Sequence, residues 1–251
     1  MWQDVVTELD TWHRARRVAL FWWRDDDAID VTPQLGSLFR LAGRHKVPVA
    51  LSVIPTRFTR RLVQQVRRHP GTSVLVHGYA HANHAPAGYA KSEFGGSRKL
   101  SQMEEELTAG LVLLRQGFGA QALPVLVPPW NRMAPRLAWR LPALGYRGIS
   151  AWKPRLPGDK TGPLVRVNTH LDPIDWRGGR IPKDDRAVAA ALLRKLRWRR
   201  AHPDRADEPL GLLTHHLLWG PEIEHVVANV LIHTRSHPAV RWLPARAVFG
   251  A

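Results

Sequence analysis

With 251 residues the chain is long enough for one α/β domain with a substantial core and short for two, and its 44% apolar and 23% charged composition excludes disordered, collagen-like and coiled-coil classes. It has no cysteine, which removes disulfides, thiolate metal sites and cysteine nucleophiles, so any metal must be held by His and carboxylate. The net charge of +16, with Arg far outnumbering Lys, raises the expectation of polyanionic partners such as nucleic acid or an acidic membrane.

The first residues, Met1-Trp2-Gln3-Asp4, open a polar amphipathic stretch without the charged start, apolar run and small-residue cleavage site of a secretory signal. No apolar run approaches the ~18 residues that span a bilayer, so a cytoplasmic protein without a membrane span is expected. Residues 18–23 (VALFWW) read as a buried strand that runs straight into Arg24-Asp25-Asp26-Asp27. Further strands are expected at 47–53, 73–76 and 124–127, with weaker ones at 148–152, 164–167 and 210–213. These are short continuous apolar runs, as expected where both faces of a sheet are covered. Helices are expected between them, over Thr59–Arg68, from Ser101 and over Asp184–Arg200. The second has Glu104 three residues after Ser101 in the manner of a capping box, apolar residues at helical spacing, and Gly117 or Gly119 to end it. The basic segment Arg194–Arg200 reads as a solvated helix face. Alternating strands and helices imply a parallel sheet, and about seven strands in a chain of this length favour a (β/α) barrel, complete or not, over an open sheet. One domain over 1–251 is expected.

Polar groups collect where strands end. Asp25–Asp27 follow the first strand, His77 and His81 the third, Pro129-Trp130-Asn131-Arg132 the fourth, Asp172 to Trp176 the sixth, and His215-His216 the last. In a parallel barrel these ends share one face, where active sites are built. Each group has an ordinary reading too. An Asp run is most often a solvated turn or a helix cap, a chance His pair is expected among thirteen His, and Pro-Pro-Trp is commonly a rigid loop. Yet three adjacent carboxylates repel each other unless a cation or an Arg lies among them, and two His spaced i, i+4 can share a metal.

Taken in order, the set resembles the polysaccharide deacetylase family (NodB homology, carbohydrate esterase family 4) over about Val18–His216, in a divergent form. The resemblance implies a distorted (β/α)7 barrel. It implies Asp25 as catalytic base, with Asp26, His77 and His81 as ligands of a divalent metal, most readily zinc; His84 is an alternative to His81. Trp130 and Arg132 would line the groove, with a backbone N–H near Trp130 at the oxyanion. Trp176 and Leu213 would shape the acyl pocket, Asp175 would tune the catalytic His, and His215 would be the general acid, the Leu-x-His spacing favouring it over His216. The chain departs from the family in three places. Val127 stands where an Arg normally pairs the catalytic Asp, with Arg24 or Arg132 as candidate substitutes. Asp27 replaces a Gly, and Gly78 replaces a hydroxyl residue.

The implied function is metal-dependent hydrolysis of an acetyl or related amide on an amino sugar or glycan. Two His and one carboxylate leave an open position on the metal, as direct attack by an activated water requires. No G-x-S-x-G elbow offers a serine route. The rival readings are a metal- and glycan-binding pseudoenzyme of the same fold and a basic nucleic-acid-binding protein. For the latter the chain has no zinc finger, recognition-helix or single-strand-binding signature, so no specific nucleic acid is expected.

Overall fold

The structure, a computed structural model, describes residues 1–152, 163–203 and 208–250. In chain order the helices are α1 (Trp2–Arg14), α2 (Pro33–His45), α3 (Arg60–Arg67), α4 (Leu100–Phe118), α5 (Pro135–Ala138), α6 (Asp185–Ala201), α7 (Pro221–Thr234) and α8 (Ala245–Phe249). The strands are β1 (Ala19–Ala28), β2 (Ala50–Val53), β3 (Ser73–His77), β4 (Ala122–Val127), β5 (Gly148–Ile149), β6 (Val165–Arg166), β7 (Ile174–Asp175), β8 (Ile181–Pro182), β9 (Leu210–Thr214) and β10 (Val240–Trp242). Eight strands form one parallel sheet in the order β10-β1-β2-β3-β4-β5-β6, with β9 also on β1, while β7 and β8 make a separate antiparallel hairpin. The sheet curls into a partly closed (β/α) barrel with helices around it. Its hinge is the long β1. Ala19–Phe21 of β1 pair with β10, Phe21–Asp25 with β9, and the segment from Arg24 with β2.

The alternation of side chains along each strand sorts the core into two clusters. Trp22, Ala50, Leu75, Leu123, Val125, Val127 and Val167 pack with Ala245 and Phe249 of α8 and fill the inside of the curl. Phe21, Trp23, Leu51, Val53, Val74, Val76, Leu126, Leu210 and Leu212 face the helix layer. The inner cluster is tight. A Cβ on Gly211 would lie 2.6 Å from Trp22 Nε1 and 2.7 Å from the Asn168 carbonyl, so only Gly lets β9 approach β1 there.

Three local expectations are corrected. The first strand does not end at Trp23 but continues to Ala28, so the acidic run belongs to the strand and obeys its alternation. Helix α4 begins at Leu100 with Lys99 at its N-cap and no side-chain cap; Glu104 instead accepts from Arg140 Nε at 2.5 Å. The segment Arg194–Arg200 is only partly solvated. Arg200 Nε donates to buried Glu8 of α1 at 2.5 Å, and buried Arg199 donates to the Glu208 carbonyl, so both hold α6 against the body of the protein. Thr59 and Asp184 do cap α3 and α6, accepting from Leu62 N and Ala187 N. The hairpin β7–β8 and strand β10 have too few apolar residues to register as periodic runs.

Candidate active site

The C-terminal ends of β1, β3, β4 and β9 meet at one mouth, and strand alternation decides what each delivers. Along β1 the inner row continues from Trp22 to Arg24 and Asp26, while Asp25 follows Trp23 on the outer face. Asp27 would also turn outward. A bulge between Asp25 and Ala28, with Asp27 in the left-handed region at φ 71°, turns it back to the mouth instead.

The oxygen of Asp27 and the Nε2 atoms of His77 and His81 converge. Asp27 Oδ1 lies 3.0 Å from His77 and 3.3 Å from His81, and one donor atom from each residue falls within 4.8 Å of the others. Among the described residues this is the group of His and carboxylates so arranged. It differs from the expected Asp26-His77-His81 set, because Asp26 is turned to Arg24 and Asp27 takes its place. His84 is exposed and its N–H is bonded to the Ser92 carbonyl, away from the cluster. His77 Nδ1 faces the Val127 carbonyl at 2.9 Å and donates to it, which aims the Nε2 lone pair at the Asp27 carboxylate. Two acceptors that close require a proton or a cation between them. Burial alone would depress His77, but the Asp27 hydrogen bond and the Asp26 and Asp27 charges outweigh it and raise its pKa. Burial likewise opposes ionisation of Asp27, yet the His77 bond and the neighbouring His hold it well below the usual carboxylate range. His81 is depressed by burial and by His77. The donor set therefore fits a divalent cation.

Arg24 and Asp26 are fully buried partners. Arg24 Nη2 donates to Asp26 Oδ2 at 2.9 Å and Nε lies 2.9 Å from Oδ1, while the guanidinium also donates to Ser150 Oγ and Asn131 Oδ1. Burial works against the Asp26 charge, but Arg24, followed by His77 and His215, holds its pKa below the ordinary value. Of the two candidate substitutes for the Arg absent at Val127, Arg24 is therefore the one that pairs with the acidic run. Arg132, the other candidate, is exposed and donates to the Lys91 carbonyl.

Asp25, expected as the base, is not at the mouth. On the outer face it accepts from Thr214 Oγ1 at 2.6 Å and faces His216 Nδ1 at 2.5 Å, and Trp23 Nε1 donates to Thr214. Asp25 and His216 thus form a buried pair. Burial lowers His216, but Asp25 outweighs it and raises its pKa. A raised His pKa stabilises the fold fully below the unfolded value of about 6.5 and loses that contribution as pH rises through the folded value. Thermal stability is therefore expected to fall as pH rises above about 6.5, and Asp25→Asn to flatten that slope, measured as Tm against pH.

On the other flank, the Trp176 ring meets His215 edge-on at 4.7 Å between centroids. His215 Nδ1 is buried without a hydrogen-bond partner among the described residues. Asp172, not Asp175, is the buried carboxylate facing it. Burial raises the Asp172 pKa against the opposing charge of His215, and its oxygens accept from Trp176 Nε1 at 2.7 Å and from Ile174 N. Asp175 lies at the surface and accepts from the N–H groups of its own turn, which lower its pKa. Leu213 is buried in β9 below His215. Opposite Trp176, Trp130 leans on His81 at 4.4 Å, so two indoles flank the mouth. Trp130 and Asn131 adopt left-handed backbone at φ 54° and 55°, and His81 at φ 56°. With Asp27, four non-glycine residues at one mouth hold a conformation that costs on the order of 1–3 kcal/mol each, a pattern typical of functional sites.

Glu93 is a residue that sequence reading missed, with no local signal to reveal it. Buried, it accepts from the N–H groups of Tyr79, Ala80 and Ala82 and so shapes the loop carrying His81. Gly78, at φ 66°, leaves room for it: a Cβ there would lie 2.0 Å from Glu93 Oε2. Glu93→Ala strands those donors and is expected to weaken metal binding by about 10–100-fold, read by titration with a chelator.

No family model matches the chain, and no curated protein matches it. Solved structures do. A Mycobacterium smegmatis protein assigned to the polysaccharide deacetylases superposes with TM-score 0.63 at 17% identity, over 93% of this chain and 90% of its own. A family 4 acetyl xylan esterase from Clostridium thermocellum, in complex with a cobalt ion, gives 0.59 at 13% identity, over 92% and 90%. The allantoinase Puue gives 0.60 at 15% identity, over 93% and 89%. The fold is therefore that of the polysaccharide deacetylases, in agreement with the resemblance of the motifs. Among the described residues, no helix is long and apolar enough to cross a membrane.

Proposed function

We propose that this protein is a divalent-metal-dependent hydrolase of the polysaccharide deacetylase family that removes an acetyl or related acyl group from an N-acylated amino sugar or glycan. The observation that carries the reading is the convergence of Asp27, His77 and His81 beside an Arg-paired Asp26 and a Trp-flanked His215. The neighbours in fold support it, since one is an acetyl xylan esterase with a cobalt ion bound.

Asp27, His77 and His81 would hold the ion, most readily zinc, which supplies Lewis-acid activation of water and of the acyl carbonyl. Asp26 accepts the proton of the attacking water, because Arg24 keeps it ionised. A backbone N–H at the left-handed Trp130 turn helps hold the oxyanion. His215 gives a proton to the leaving nitrogen, breaking the C–N bond, with Asp172 rather than Asp175 holding Trp176 against it and Trp176 packing against the acyl group. Arg24 and Asp172 act through these groups as positioning residues.

The test is acetate release from N-acetylglucosamine oligomers by zinc-loaded protein. Release that disappears with chelator and returns with metal supports the reading. Stoichiometric metal with no release from any acylated amino sugar favours the pseudoenzyme. Salt-sensitive binding to random DNA, lost when Arg194 and Arg197 are neutralised, favours the nucleic-acid reading.

A further inference from the structure

The leaving-group side of the mouth has a cation that no described carboxylate neutralises. The hairpin of β7 and β8 turns through Gly178, Gly179 and Arg180, the last in the left-handed region at φ 64°. A Cβ at Gly178 would lie 2.5 Å from Asp175 Oδ2, so the turn is closed on the Asp175 carboxylate. The Arg180 guanidinium lies over the Trp176 ring, 5.9 Å from the centroid. Trp176 is itself fixed, with its Nε1 on Asp172 and its edge on His215. His215, Trp176 and Arg180 thus form a row that begins at the proposed proton donor and ends at the exposed Arg180. On the other flank, exposed Arg132 and Lys91 lie side by side, the guanidinium on the Lys91 carbonyl, and neither forms an ion pair with a described residue. Of the carboxylates at the mouth, Asp26 is paired by Arg24 and Asp27 faces His77 and His81, while Asp172 accepts from Trp176 and Ile174 and Glu93 from its loop. An exposed guanidinium with no ion-pair partner among the described residues, held over an indole at the rim of the mouth, attracts an anion.

We infer that the substrate is an acylated amine whose amine moiety bears an anionic group, phosphate or carboxylate, received by Arg180 over Trp176. The inference rests on the hydrolase reading above and names the substrate class of that site. Arg suits either anion, because its planar fork pairs with two oxygens at once while its face stacks on the indole.

The test is equilibrium binding to metal-loaded protein carrying Asp26→Asn, to prevent turnover, of N-acetylglucosamine, N-acetylglucosamine 1-phosphate and N-acetylmuramic acid. At least one anionic sugar is expected to bind about tenfold or more tightly than the neutral one, the scale of one charge-assisted contact. Which of the two does so separates phosphate from carboxylate. Arg180→Gln should bring that ligand down to the neutral level, and Arg180→Lys should retain part of the preference. Arg235→Gln, at the C-terminal end of α7 and hence at the opposite end of the barrel, should change nothing. Equal binding of all three sugars, no binding of any, or an equal loss in Arg180→Gln and Arg235→Gln overturns the inference. Deacylation by the unmutated protein is scored separately. Equal turnover of neutral and anionic sugars keeps the hydrolase reading and removes the anion. Arg180-dependent binding without turnover does the reverse.

Discussion

Asp26→Asn is expected to lower kcat by about 10²–10⁴ while metal content stays near that of the unmutated protein, because a positioned proton acceptor is lost and the ligand set is not. Asp25→Asn should give the opposite pair of results. Its carboxylate faces Thr214 and His216 on the outer side of β1, so turnover per folded molecule should change little. Breaking a buried charged pair by removing one partner costs roughly 3–5 kcal/mol, and for a chain of this size each kcal/mol is worth about 2–4 °C, so Tm should fall by about 10 °C. The two variants differ by one position in sequence and separate catalysis from stability. A near-normal rate in Asp26→Asn, with loss of rate in Asp25→Asn at unchanged metal content and Tm, would return the base to Asp25. The pH–rate profile adds a check on Arg24. A base works while ionised, so the rate is lost as pH falls through its pKa. Arg24 holds that of Asp26 below the ordinary value, and Arg24→Met should move the acidic limb upward.

Asp27→Asn and His77→Ala are expected to take bound metal from about one equivalent to near zero, by elemental analysis, and activity to background. Asp26→Asn should keep its ion, which distinguishes the observed set from one built on Asp26. In the unmutated protein, metal at 100 times its Kd should stabilise the fold by about 2.7 kcal/mol, seen as a rise in Tm that Asp27→Asn abolishes. Full metal retention in both ligand variants would overturn the assignment.

The sequence alone determined seven of the ten strands, β1–β6 and β9, from their apolar runs, the alternation that implies a parallel sheet, and the placement of polar groups at strand ends. The candidates His77, His81, Trp130, Trp176 and His215, which the structure brings to one mouth, could be picked out because each follows a recognisable strand or sits at a motif spacing. The tertiary structure decided the register of the acidic run. Three identical carboxylates in a row have no local feature to rank them. Their assignment depends on where β1 ends and which face Trp22 occupies, and then on a bulge that reverses the alternation at Asp27. The parity of Trp22, Arg24 and Asp26 would have placed Asp26 inward had the strand been extended past Trp23. The choice of Asp172 over Asp175 was likewise tertiary, because the hairpin turn binds Asp175 to its own N–H groups and buries Asp172 beside Trp176. Glu93 lay furthest beyond reach of the sequence. Its role exists only because the loop after β3 folds back over a carboxylate 11–14 residues along the chain, and contacts at that separation leave no periodic trace.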